Sequence, residues 1–173
     1  MIRTLAFLAT LCAVALPAAA WAQSASKPAR PPAAAPGSDL VTAANLSRDG
    51  LRAIYDAAKL PAAIDRSGNL TVKAGTVTLY ILPSEDRVRL LASYSFAARA
   101  AYQEKLDLAN RINDGYILVR AAIPADKPAE INIDHYILLG PGVSRAVVVA
   151  VTRRFAEVVQ EAIDAVDTDR LLE

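Results

Sequence analysis

TVTLYILPSEDRVRLLASYSF, residues 76–96, decides the fold of this chain. From Thr76 to Leu82 the residues alternate, with Val77, Leu79 and Ile81 on one side and Thr76, Thr78, Tyr80 and Leu82 on the other. Successive side chains of a strand point to opposite faces, so this alternation marks a strand with one buried face. Pro83-Ser84-Glu85-Asp86 reads as a polar turn. Val88 to Phe96 then runs back, with Val88, Leu90, Ala92, Tyr94 and Phe96 on one face. Upstream, Leu70-Thr71-Val72-Lys73 ends at Ala74-Gly75, and Ala62-Ala63-Ile64-Asp65 leads into the turn Arg66-Ser67-Gly68-Asn69. The hairpin therefore belongs to an antiparallel meander of three or four strands.

Helices flank the meander. Before it, Ser47 can cap a helix whose apolar residues Leu51, Ile54, Tyr55 and Ala58 recur at helical spacing, with Leu46 and Leu51 placed as a staple. Pro61 ends that helix. After the meander, a helix is expected from about Ala98 to Asn113. Its stripe is Ala98, Tyr102, Leu106, Ala109 and Ile112, and Asp114-Gly115 closes it with Gly as a left-handed cap. Tyr116 to Ile123 reads as a strand and Pro124 to Ala129 as a loop. Glu130 to Leu139 reads as a second strand, with Ile131, Ile133, His135, Ile137 and Leu139 on one face.

Gly140-Pro141-Gly142 turns the chain, and Ser144 can cap a long last helix with Val143 and Val148 as its staple. The valine run from Ala146 to Val151 favours a strand on propensity alone. The longer pattern outweighs it: Val148, Val151, Phe155, Val158, Val159, Ala162 and Val166 keep helical period over about five turns. The order is α-β-β-β-α-β-β-α. Blocks of antiparallel strands and helices of this kind make an α+β architecture, an antiparallel sheet with packed helices.

Residues 1–22 read differently. Arg3 supplies a positive charge, Leu5 to Leu16 is an apolar run, and Ala20-Trp21-Ala22 ends it with small residues in A-x-A spacing. That is a secretory signal peptide cleaved after Ala22, and the run falls short of the roughly 20 apolar residues that a membrane-spanning helix needs. Leu11 before Cys12 is too bulky for a lipoprotein signal. The mature chain is expected to be periplasmic or secreted and to begin at Gln23. Cleavage removes the only Cys, the only Trp and the only Met, so neither a disulfide nor a thiol-metal site remains. Residues 23–38, QSASKPARPPAAAPGS, have no apolar side chain larger than Ala and read as a flexible Pro/Ala-rich linker. Residues 39–173 are then one α+β domain.

Removing Arg3 takes the formal charge from +1 to about zero. The basic residues are scattered, with Arg153-Arg154 the only adjacent pair, whereas nucleic-acid binding needs clustered Lys and Arg. A nucleic-acid partner is not expected.

Several segments resemble the YbjN family, described as sensory transduction regulators of bacteria. Leu108-Ala109-Asn110-Arg111-Ile112-Asn113 is similar to that family's Asn-bearing end of the middle helix. Ile137-Leu138-Leu139-Gly140-Pro141-Gly142-Val143-Ser144 is similar to its hairpin-to-helix turn, and Val151-Thr152-Arg153-Arg154-Phe155 to its last helix. Pro141 is a departure within the glycine turn. The resemblance spans about residues 39–166. It implies a fold similar to type III secretion chaperones, which bind polypeptides, and it carries over neither catalytic residues nor a cofactor.

The individual candidates read mainly as structural. His135, the only histidine, lies on an apolar stripe; Asp134 beside it points to the opposite face, so the two cannot chelate together. Asn110 and Asn113 suit helix termination and backbone contacts. Gly140-Pro141-Gly142 precedes a helix but lacks the Lys and length of a phosphate loop. Glu85-Asp86 sit in a solvated turn. The tyrosines Tyr80, Tyr94, Tyr102, Tyr116 and Tyr136 are the more informative set. Tyr80 and Tyr136 fall opposite their strands' apolar stripes, either beneath a covering helix or on an open face suited to binding protein. The sequence thus assigns no catalytic, cofactor-binding or metal residue. It points to an exported protein-binding domain, a regulatory or chaperone-like adaptor of the cell envelope, with homodimerisation compatible. The alternative is a small envelope hydrolase or ligand-binding protein, for which His135 is the only plausible general base.

Overall fold

The computed structural model describes residues 39–173; the expected signal segment (residues 1–22) and linker (residues 23–38) lie outside the described residues. In chain order the elements are β1 (Leu40–Val41), α1 (Arg48–Ala57), β2 (Ala62–Ile64), β3 (Leu70–Ala74), β4 (Val77–Ser84) and β5 (Arg87–Ser95). There follow α2 (Tyr102–Gly115), β6 (Arg120–Ala122), β7 (Glu130–Leu138), β8 (Val143–Ser144) and α3 (Arg145–Val166). The main sheet is antiparallel, in the order β2-β3-β4-β5-β7-β6, and β1 and β8 form a separate two-stranded ladder. The α+β architecture read from the sequence is the one observed, and the meander has four strands.

The alternation in residues 76–96 sets the inner face. Val77, Leu79, Ile81, Val88, Leu90 and Ala92 are buried, and Tyr94 is half-buried. Ser84 pairs with Arg87, so Glu85 and Asp86 alone make the turn, with Glu85 at φ 41. From the other strands Leu70, Val72, Ile131, Ile133 and Ile137 join one core with Leu51 and Tyr55 of α1, Leu108 and Ile112 of α2, and Val148, Phe155 and Val159 of α3. All three helices therefore pack on the same side of the sheet.

Both expected serine caps are present: Gly50 N–H donates to Ser47 Oγ at 3.0 Å and Val147 N–H to Ser144 Oγ at 3.2 Å. Helix period rather than valine propensity governs α3, because Val148, Phe155, Val158, Val159 and Ala162 are buried along one stripe. Between α1 and α3, Tyr55 Oη lies 2.9 Å from Thr152 Oγ1, and Thr152 donates to the Val148 carbonyl at 2.8 Å. A threonine hydroxyl has one proton, so Tyr55 is the donor of the pair. Burial pushes the Tyr55 phenol up to about 12, with the bond to Thr152 acting in the opposite direction.

Four expectations need correction. The folded part opens with β1, not with a helix; Leu40 and Val41 pair with Ser144 and Val143. The middle helix starts at Tyr102 rather than Ala98, because Ala97 to Ala101 form a turn closed by Ala100 N–H on the Ala97 carbonyl. Tyr102 is consequently exposed, and the buried stripe is Leu108, Ala109 and Ile112. Gly115 is the last helical residue, and the cap is Tyr116 at φ −134, not a left-handed glycine. The strand expected over residues 116–123 is only Arg120–Ala122. Val119 N–H closes a turn on the Tyr116 carbonyl at 3.4 Å, and Ile117 and Leu118 project outward. β7 continues to Leu138, but β6 pairs only with Asn132 to Asp134, because the turn at Tyr116 to Val119 takes the chain off that edge.

The glycine turn works as a spacer. Gly140 and Gly142 have φ of 44° and 143°, and a Cβ on Gly142 would stand 3.2 Å from Leu40 Cδ1 and 3.3 Å from Thr42 Cγ2. Glycine at 142 lets the β1 segment lie close against the turn.

Candidate docking face

With the helices on one side, the opposite face of the sheet is built from the other set of alternating residues. One row crosses it through Thr71, Tyr80, Leu91, Asp134 and Arg120, each paired with the next across the ladders. The adjacent row runs Leu82, Arg89, Tyr136, and the next Ser84, Arg87, Leu138. Among the described residues no helix covers this face: Tyr80, Leu82 and Leu91 are half-buried, and Tyr136 and Leu138 are exposed. Of the two readings open for Tyr80 and Tyr136, the structure thus favours the open face.

At its centre is a charged cluster that sequence reasoning missed. Asp134 is buried although it points away from the core. Arg89 donates to it through Nε at 2.8 Å and through Nη2, and Arg120 through Nε at 3.0 Å and Nη2 at 2.7 Å. The carboxylate side chain is 1% exposed, against 28% for Arg89 and 62% for Arg120. Hydrogen bonding to Asp134 and its charge hold the Arg120 guanidinium more firmly in its charged form. The only available sequence signal was Asp134 at a strand position beside two arginines on neighbouring strands, and the pairing register needed to bring them together was not readable.

Beside the cluster, a shallow hollow of about 500 Å³ is lined by Leu82, Pro83, Ser84, Glu85, Arg87, Arg89 and Tyr136. Arg87 pairs with Asp86 at 2.9 Å across an exposed contact.

The other candidates are placed as follows. His135 is half-buried on the inner face and stacks on Phe155, with ring centroids 6.1 Å apart and 27° between planes. The 170 Å³ cavity beside it is lined by Leu118, Val119, Val151, Arg154, Phe155 and Val158. None of these is a nucleophile. Asn113 serves the backbone: it donates to the Ala121 carbonyl at 3.0 Å and accepts from Ala121 N–H at 2.7 Å, docking β6 on α2. Asn110 is exposed. Tyr94 is half-buried on the helix side, where burial and then Asp164 raise its phenol pKa. Tyr116 donates to the Glu161 carbonyl at 3.4 Å. Among the described residues no three metal-ligating side chains cluster, and no helix is long and apolar enough to cross a membrane.

This order of elements, with a last helix over a meander, agrees with a family match. Residues 47–168 match YbjN, described as "Putative bacterial sensory transduction regulator". The chain belongs to the YbjN family. The fold is also that of the solved structure described as "YbjN, a putative transcription regulator from E. coli", at 17% identity and TM-score 0.61 over 74% of this chain and 96% of that one. An uncharacterized protein from Methanothermobacter thermautotrophicus aligns at 10% identity and TM-score 0.50, over 73% of this chain and 99% of that one. No curated protein matches. At these identities the likeness carries the fold alone.

Proposed function

We propose that this YbjN-family chain is an exported, non-enzymatic domain that binds another polypeptide through the outer face of its sheet. It acts as a regulatory or chaperone-like adaptor in the cell envelope. The observation that carries the reading is the open face itself: Tyr80, Leu82, Leu91, Tyr136 and Leu138 lie there without a covering helix among the described residues. Aromatic side chains bury large area at low entropy cost, which suits them to protein contacts. Export rests on the pattern of residues 1–22. The hydrolase alternative finds no support at His135, where the described residues lining the cavity carry neither hydroxyl nor thiol. The test is affinity capture from the envelope fraction with the wild-type chain and with a Tyr136→Ala, Leu138→Ser variant. Both side chains are exposed, so the fold should persist, and the variant should lose the partner. Equal capture by both proteins overturns the reading.

A specific observation also favours self-association. Ile117 is 94% exposed and Leu118 53%, side by side at a turn. Such a tip offers an apolar contact to a second copy. Sedimentation at micromolar concentration should show a dimer that Ile117→Ser weakens; a monomer in the wild type refutes it.

A further inference from the structure

Resting on the docking reading above, we infer that the outer face takes an acidic segment of another polypeptide. Its carboxylate sits on Arg89 and Arg120, and its apolar side chains lie over Tyr80, Leu82 and Tyr136. The argument starts from the stoichiometry of the cluster: two guanidiniums converge on one carboxylate, so the site carries one uncompensated positive charge. Each guanidinium has five N–H donors and turns its Nε and Nη2 groups toward Asp134. Among the described residues neither arginine has a second hydrogen-bond acceptor. The remaining donors, Nη1 of each among them, have no acceptor among the described residues, and Arg120, 62% exposed, presents the more accessible of the two guanidiniums.

Asp134 also pre-organises them. It is buried and fixed in the ladder between Leu91 and Arg120, so it pins both planes before a partner arrives. An arginine already held loses less freedom on binding, and planar guanidiniums match carboxylates in paired hydrogen bonds. The surroundings select a polypeptide rather than a bare anion, because the arginines stand among Tyr80, Leu82 and Tyr136 and next to a hollow open at the surface. The other charges on this side do not reverse that balance. Asp86 is paired with Arg87, Glu130 at the start of β7 is paired with Lys127 at 3.3 Å, and Glu85 at the hairpin tip is matched in number by Lys73, in register with Thr78. A single net charge is too little for nucleic acid, whose binding scales with the number of phosphates neutralised.

The test uses the isotope-labelled chain beginning at Gln23 and two synthetic twelve-residue peptides. The peptides alternate Leu and Tyr with Glu in one and with Lys in the other. Phosphatidylglycerol vesicles form a third arm. The acidic peptide should shift the backbone amides of Tyr80, Leu91 and Tyr136, bind more weakly as salt rises, and lose about tenfold in affinity in Arg120→Ala. Arg120 is mostly exposed, so that variant should keep the fold, which thermal denaturation checks. Equal binding of the lysine peptide overturns the inference, as do shifts confined to α1 and α3, or binding to vesicles in place of peptide. If these peptide results are negative while envelope capture still depends on Tyr136 and Leu138, the acidic-partner inference alone falls. If capture is indifferent to both residues, the docking reading falls with it.

Discussion

Replacing Asp134 with Asn removes the negative charge on which two arginines converge while keeping the size of the side chain. Breaking a fully buried ion pair costs about 3–5 kcal/mol, because it leaves an uncompensated charge in a poorly solvated place. Here the anion meets that condition, with its side chain 1% exposed, but the cations do so unequally. Arg120 is 62% exposed and can be solvated once released, so its share falls in the surface range of about 0–1 kcal/mol. Arg89 is 28% exposed and keeps more of the penalty. The asparagine amide also places donors against guanidinium donors, where the carboxylate had four acceptor positions. The expected loss is about 2–3 kcal/mol for Asp134→Asn and under about 1 kcal/mol for Arg120→Ala. Urea denaturation of the purified variants, with the slope unchanged, measures both. An Asp134→Asn midpoint indistinguishable from wild type would refute the reasoning, since it would mean the carboxylate is solvated and the arginine contacts carry little.

Thr152→Val should cost about 1–3 kcal/mol by stranding the buried Tyr55 hydroxyl, whereas Tyr55→Phe should cost less, because Thr152 keeps its bond to the Val148 carbonyl; paired urea midpoints compare them. The Tyr55 pKa is raised from 10.0 to about 12 in the fold, so its contribution is complete below pH 10 and is lost as pH rises from 10 through 12, by about 3 kcal/mol in total. Stability at pH 9 and pH 11.5 should show that slope in the wild type and lose most of it in Tyr55→Phe. Gly142→Ala should destabilise by about 1–2 kcal/mol through its positive φ and the contact with Leu40 and Thr42, read as a lower thermal midpoint. N-terminal sequencing of the chain recovered from the envelope should begin at Gln23; recovery with Met1 in the cytoplasm would contradict export.

Much of the scaffold was legible because it depends on local periodicity. The alternation of residues 76–96 named the buried face of the hairpin, and the stripe from Val148 to Ala162 outweighed a valine run that alone reads as strand. Ser47 and Ser144 were legible as caps because the capping bond spans only three residues. What escaped depends on distant partners. β1 exists only through its pairing with residues 143 and 144, and Tyr116 to Val119 form a turn that leaves the edge of β7 instead of continuing β6. Asp134 was read as facing away from His135, which is correct. Its meaning came only from a register that sets Arg120 opposite it and Arg89 one row away. The tyrosine pair Tyr80 and Tyr136 was recognisable by alternation, but whether a helix covered them depended on all three helices choosing the same side.

Docking of a polypeptide on the outer face is tested most directly by a photo-crosslinking residue placed at Tyr136 in living cells, with Gln103 on the exposed side of α2 as the comparison. The account predicts discrete adducts from position 136 that weaken in Arg120→Ala, a variant that keeps Arg89 on Asp134, and none from position 103. Adducts from position 103 with none from position 136 would contradict it and move the binding surface to the helices.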